Sequence, residues 1–255
     1  MYLPTALYSL LATAIPHLQA PQQPIANPQP QPPSPHLAFT ETPLDLSPTA
    51  SSLLNIPTRN ESTILARRLL AKSTTGILST IFPQNITSPY IPHAVAHTPI
   101  GLPEYIASCE EPTGNPTLLA LTISTSTRNA LAGSNVSLSI SWWDEYVKLT
   151  GAEPWSAANL PRASLVGWLE EIPREEVEEK GIVGCFTGVH GDSRMWLPGD
   201  EHAAHRGVWM RMVVEQVYWI GGFGDRAFIG WFEPEVWRGV KQGEWRGVRL
   251  PGEKE

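Results

Sequence analysis

The chain has 255 residues, of which 42% are hydrophobic and 17% charged, and a net charge of -7 from 18 Lys and Arg against 25 Asp and Glu. That length holds one domain of ordinary size, at most two, and the apolar fraction is too high for a chain disordered throughout. The acidic balance, with no clustered basic run, speaks against nucleic acid and anionic membrane surfaces as partners.

The ends differ in kind. No Gly precedes Gly76, all Trp residues lie from Trp142 onward, and the first sixty residues carry only Glu41, Asp45 and Arg59 as charges. Leu7 to Ile15 is an apolar run of signal-peptide length, far short of the roughly 20 residues that span a bilayer, so residues 1–20 read as an export signal with no membrane span. Residues 21–57, rich in Pro and Gln, read as a disordered stalk, because such a segment cannot bury enough apolar surface to offset its ordering entropy. The sequons Asn60-Glu61-Ser62, Asn85-Ile86-Thr87 and Asn135-Val136-Ser137 also point to export and to a glycoprotein, whereas Asn115-Pro116-Thr117 is excluded by its proline. Cys109 and Cys185 permit one disulfide in an oxidising compartment, or two buried thiols.

From residue 58 the pattern is that of a folded domain reaching to about residue 250. Thr58-Arg59-Asn60-Glu61 has the spacing of a capping box, and Leu65, Ala66, Leu69 and Leu70 share one face of the helix that follows, which ends near Gly76. Ile77 to Ile81 is a short β-branched strand. Tyr105 to Glu110 and Thr117 to Thr125 read as strands, and Val136 to Trp143 alternates with a period of two, one face buried and one wet. Ser164 to Ile172, Gly207 to Ile220 and Arg226 to Trp231 continue the series. A charged helix with proline at its first position spans Pro173 to Lys180, and a short one spans Pro234 to Val240. The sum is an α+β domain built on an antiparallel barrel or sandwich.

The catalytic motifs fail their context. Gly222-Phe223-Gly224-Asp225-Arg226-Ala227 has dinucleotide-binding spacing, but β-type residues follow where a phosphate-binding helix is required, so the glycines serve a turn between strands. Glu201-His202-Ala203-Ala204-His205, with His190, Asp192 and Asp200, can be drawn as a metal cluster, yet the surrounding Gly and Pro suit a surface loop. No metal is expected.

Thr75-Gly76-Ile77-Leu78-Ser79-Thr80, Gly101-Leu102-Pro103-Glu104-Tyr105, Thr125-Ser126-Thr127-Arg128-Asn129 and the stretch Val217 to Ala227 give a chain that resembles the CREG-like branch of the pyridoxamine 5'-phosphate oxidase split-barrel superfamily. The likeness runs from about Thr58 to Val240, and its closing stretch looks like the fungal version. It implies a six-stranded antiparallel split barrel with flanking helices, a homodimer, and a secreted or vacuolar glycoprotein. Oxidases of the superfamily hold FMN in a cleft between two subunits; CREG-like members are similar in fold and generally lack that activity. Thr125, Ser126, Thr127 and Arg128, with Ser108 as a further contact, are the residues that would hold a flavin phosphate, and His190, His202 or His205 would serve a haem iron. From Thr74 to Pro161, however, Arg128 and Lys148 are the only basic residues, a poor cradle for a dianion. No cofactor is therefore expected. The reading is a binding or regulatory module for an unidentified protein or small-molecule ligand, with an FMN- or haem-handling oxidoreductase as the alternative.

Overall fold

A computed structural model of the protein describes residues 56–199, 203 and 205–254; the export-signal reading and nearly all of the stalk lie outside the described residues. The first helix, α1 (Arg59–Lys72), starts as the capping box requires: the Thr58 hydroxyl accepts from the Glu61 N–H at 3.3 Å, and the Glu61 carboxylate accepts from the Thr58 N–H at 2.8 Å. Ala66, Leu69 and Leu70 are buried on one face and Leu65 packs beside them. The helix stops short of Gly76 because Ser73 turns extended, its hydroxyl and N–H both donating to the Leu69 carbonyl. Arg67 is buried in α1, where its guanidinium donates to the Trp237 carbonyl at 2.9 Å and pairs with Glu111 at 2.7 Å.

Eight strands follow: β1 (Thr75–Ile81), β2 (Pro99–Tyr105), β3 (Ala107–Glu110), β4 (Asn115–Leu121), β5 (Val136–Ser141), β6 (Arg162–Glu171), β7 (Gly207–Ile220) and β8 (Ile229–Phe232). All pair antiparallel, in the order β2-β1-β5-β6-β7-β4-β3 with β8 also on β7. Six of them are six residues or longer, and β3 and β8, four residues each, complete the expected antiparallel barrel. The outermost strands β2 and β3 are consecutive in the chain, with Ile106 alone between them, so the sheet curls until the end of β2 and the start of β3 share a corner, though the two are not hydrogen-bonded to each other. Ile106 is fully buried and its N–H donates to the Thr74 carbonyl at 2.9 Å. Inward side chains of alternating strand positions, among them Leu78, Leu138, Leu165, Met212, Val217 and Trp219, form the main core with the inner face of α1.

The remaining helices are α2 (Thr125–Leu131), α3 (Trp143–Thr150), α4 (Arg174–Glu179), α5 (Ile182–Val189), α6 (Pro234–Gly239) and α7 (Gln242–Gly247). Four expectations are corrected, the first being the strand read as Arg226 to Trp231, which begins only at Ile229 because Gly224 to Arg226 form a turn. The strand read as Thr117 to Thr125 ends at Leu121, because the Ser124 hydroxyl accepts from the Thr127 N–H at 3.2 Å and opens α2. The strand read as Tyr105 to Glu110 is two strands meeting at Ile106. The alternation through Trp143 stops at Ser141, where the chain turns into α3. The glycine-rich segment Gly221 to Phe228 is the connection between β7 and β8, closed by the Gly221 N–H donating to the Phe228 carbonyl at 3.1 Å.

Helices α4 and α5 pack outside the barrel, where Ile172, Val177, Ile182, Phe186 and Trp209 make a second small core. The buried Glu110 carboxylate pairs with Arg211 and Lys180, each at 2.9 Å, and Arg211 also pairs with Glu176 of α4. Of the two states open to the cysteines, the structure shows the disulfide: Cys109 on β3 and Cys185 on α5 are joined across 76 positions, with their Cα atoms 5.9 Å apart. Closing a loop of that size removes about 4 kcal/mol of denatured-state entropy in the chain-entropy model. Replacing both cysteines with Ser is expected to lower the unfolding free energy by a few kcal/mol, roughly 2–5, and to expose α4–α5 to limited proteolysis first. The bulge between β6 and β7 sets a sharper steric limit, since a Cβ on Gly167 would lie 1.8 Å from the Val213 carbonyl oxygen. Gly167→Ala is expected to cost about 3 kcal/mol in denaturant melts.

Candidate functional site

Register places one continuous row of side chains across the outward face of the barrel. Pro103 pairs with Ile77, Ile77 with Ser139, Ser139 with Ser164, Ser164 with Tyr218, and Tyr218 with Trp231, so β2, β1, β5, β6, β7 and β8 each contribute one residue. The adjacent row is Ser141, Arg162, Ile220 and Ile229. Ile77 is 44% exposed and Trp231 50% exposed, which makes this a broad apolar and hydroxyl-bearing surface open to solvent in a single copy. Tyr218 and Trp231 pack as a tilted aromatic pair with centroids 5.0 Å apart. A hollow of about 310 Å³ at its centre is lined by Ile77, Ser139, Ser141, Ser164, Tyr218 and Arg162 among others, and Arg162 is its sole cation. That guanidinium already donates to the carbonyls of Ala158 and Leu160 at 3.3 and 3.4 Å.

The residues picked from sequence for a flavin phosphate lie elsewhere. Ser126 and Thr127 are buried under α2, which packs against β1, β2 and β6. Asn129 turns inward and donates to the Thr80 hydroxyl at 3.0 Å. Arg128 points out of the same helix, exposed, beside Asn85, and Thr125 opens the helix. Ser108 is on β3, where its hydroxyl donates to Glu111 at 3.3 Å. Among the described residues, no hydrogen bond or ion pair links Ser108 to Thr125, Ser126, Thr127 or Arg128. Lys148 is taken up by Glu145 at 2.8 Å. A single exposed guanidinium at Arg128 and a partly engaged one at Arg162 do not fit a buried dianion, which requires several cationic or N–H donors.

The histidines offered for haem divide. His190 is buried and stacked on Tyr105 with ring centroids 4.2 Å apart. Its Nε2 donates to the Ile106 carbonyl at 3.0 Å, so that nitrogen carries a proton and has no lone pair for iron. Asp192 accepts from the Tyr105 hydroxyl at 3.1 Å. Glu201 and His202 lie outside the described residues, and among those described no group of three or more His, Cys, Asp or Glu is placed to hold a metal ion.

Sequence reasoning missed Glu104. It sits on the inner side of β2 facing α2, where burial pushes its carboxyl above the usual range. The Ser126 hydroxyl nearby pulls it part of the way back, though it closes no hydrogen bond of good geometry. An acid with a raised native pKa binds its proton more tightly folded than unfolded, so its charge costs stability above that range and nothing below the unfolded pKa. Glu104→Gln is expected to raise Tm at pH 7, with the gain vanishing as pH falls into the ordinary carboxylate range. Parallel melts at pH 7 and pH 4 check this.

Residues 57–238 match the family model described as CREG, beta-barrel. No curated protein matches the chain. Among solved structures the chain is similar to a haem-binding protein from Mycobacterium smegmatis, at 15% identity and TM-score 0.54, covering 72% of this chain and 63% of that one. It is also similar to HutZ, a haem storage protein from Vibrio cholerae, at 16% identity and TM-score 0.42, covering 66% and 98%. A FAD-binding protein from Mesorhizobium loti aligns at 15% identity and TM-score 0.38, covering 59% and 87%. The chain thus spans less than two thirds of the length of the Mycobacterium protein, and at such identities the likeness concerns the fold. The curled antiparallel sheet, its helical cap at α1 and the family match over 182 of 255 residues (57 to 238 inclusive) agree: the chain belongs to the CREG β-barrel family.

Proposed function

We propose that the chain is an exported split-barrel binding protein that pairs with a second copy through its outward sheet face and performs no turnover of its own. The observation that carries this reading is the composition of that face. Six strands present Pro103, Ile77, Ser139, Ser164, Tyr218 and Trp231 in one row, with Arg162 the sole cation lining its central hollow. Aromatic and aliphatic side chains exposed on the outside of a sheet gain most when another protein surface removes them from water. A phosphate-bearing cofactor would need donors that the face does not bring together. Export is supported by the apolar start, by the exposed positions of Asn60, Asn85 and Asn135, and by the Cys109–Cys185 disulfide, which suits a secreted or vacuolar setting. The ligand of such a dimer is an unidentified protein or small molecule.

The second reading is cofactor handling, which two observations favour: a haem-binding protein shares the fold, and His205 is exposed. The visible spectrum of the full chain from a eukaryotic secretory host separates the two. The binding-module reading expects a colourless protein that stays colourless after mixing with FMN or haemin and dialysis. A retained flavin or Soret band would overturn it.

Pairing is tested by light scattering after gel filtration. Wild type is expected at twice the chain mass plus its glycans, and Tyr218→Asp with Trp231→Asp at the mass of one chain. A monomeric wild type, or a double variant that still pairs, would contradict the proposed interface.

A further inference from the structure

We propose that the hollow beside Asn85 is the seat of an N-linked glycan, and that Arg128 contacts its first sugar. This rests on the export reading above. Strand β1 ends at Ile81, and the next residue, Phe82, is fixed on both sides: its N–H donates to the Thr98 carbonyl and its carbonyl accepts from the His97 N–H, each at 3.1 Å. Ile86 is buried as well. The loop between these two anchors turns at Gln84 and Asn85, leaving Asn85 and Thr87 exposed as a sequon requires. Beside Asn85 lies a hollow of about 170 Å³ with Phe82, Ile86 and Ile91 on its apolar side and Arg128 on its rim. The Arg128 side chain has no hydrogen-bond or salt-bridge partner among the described residues.

An N-acetylglucosamine ring matches this lining. Its C–H face and acetamide methyl are apolar and suit Phe82 and Ile86, while its carbonyl and hydroxyl oxygens accept from a guanidinium. Attachment forms a bond from Asn85 Nδ2 to the anomeric carbon of a lipid-diphosphate-linked oligosaccharide. The carbon's bond to the diphosphate oxygen breaks, Nδ2 gives up one proton, and the lipid diphosphate leaves. Asn60, in the first turn of α1, and Asn135, ahead of β5, are exposed but line none of the five main hollows among the described residues. Their sugars would be tethered without a seat.

The test uses the full chain from a eukaryotic secretory host, with occupancy at each sequon read by glycopeptide mass spectrometry and stability by thermal melts. Asn85 is expected to be occupied. Asn85→Gln and Thr87→Ala, which both drop its glycan, should lower Tm by about 3 °C, and Asn135→Gln by less than about 1 °C. Trimming every glycan to its first sugar should leave Tm unchanged. Arg128→Ala should lower Tm in the glycosylated protein only, with no effect in protein made without glycosylation. A bare Asn85 with sugar on Asn60 or Asn135 would overturn the seat and leave export standing, whereas three bare sequons would overturn the export reading too. Equal losses at Asn85 and Asn135, or an Arg128→Ala effect independent of the sugar, would also overturn the seat.

Discussion

The rest of the structure depends on one joint. Strand β2 stands at one edge of the sheet and β3 at the other, yet only Ile106 separates them in the chain. The end of β2 and the start of β3 must therefore share a corner, and the buried Ile106, held by the Thr74 carbonyl, is that corner. The curl brings the two strands to one corner without hydrogen-bonding them to each other, so β2 and β3 remain the edges of the sheet. It also gives the barrel an inside and an outside, and every later assignment follows from that division: Leu138, Leu165 and Val217 inside, and Ile77, Tyr218 and Trp231 outside.

Much of the fold was legible because it is local. The Thr58 capping box, the alternation from Val136 to Ser141 and the limits of β7 need no tertiary information, and the structure reproduces them. What was missed is what tertiary context decides. Strand β2, absent from the sequence reading before Tyr105, carries Pro99 and Pro103, which a sheet tolerates because this strand lies at its edge. Helix α5 contains Gly184 and Gly188 and has almost no polar face, so packing on Trp209 and the disulfide hold it, where intrinsic propensity would not. The first turn of helix α2 is Thr125-Ser126-Thr127, residues that also suit a strand, and the Ser124 cap opens a helix there instead.

The same distinction governs the site. Residue types chosen in sequence for a phosphate, Ser108 and Thr125 to Arg128, are on different elements, and their hydroxyls are spent on Glu111, on a helix cap or on burial. The outward row could not be read beforehand, because Ile77, Ser139, Ser164, Tyr218 and Trp231 are neighbours only through register, and register is a property of paired strands. Glu104 was hidden for a similar reason. Its elevated carboxyl pKa arises from α2 lying over it, a contact that no spacing in the sequence announces.

The central claim is that the outward sheet face is the surface where two copies meet. The most direct measurement is the distance between two copies of one spin label, introduced by Ser139→Cys at the middle of the row and read by pulsed dipolar spectroscopy. Both native cysteines are already paired, so the label has one position per chain. A single short, narrowly distributed distance is the predicted result. Absence of dipolar modulation, or a broad distribution of long distances, would contradict the account.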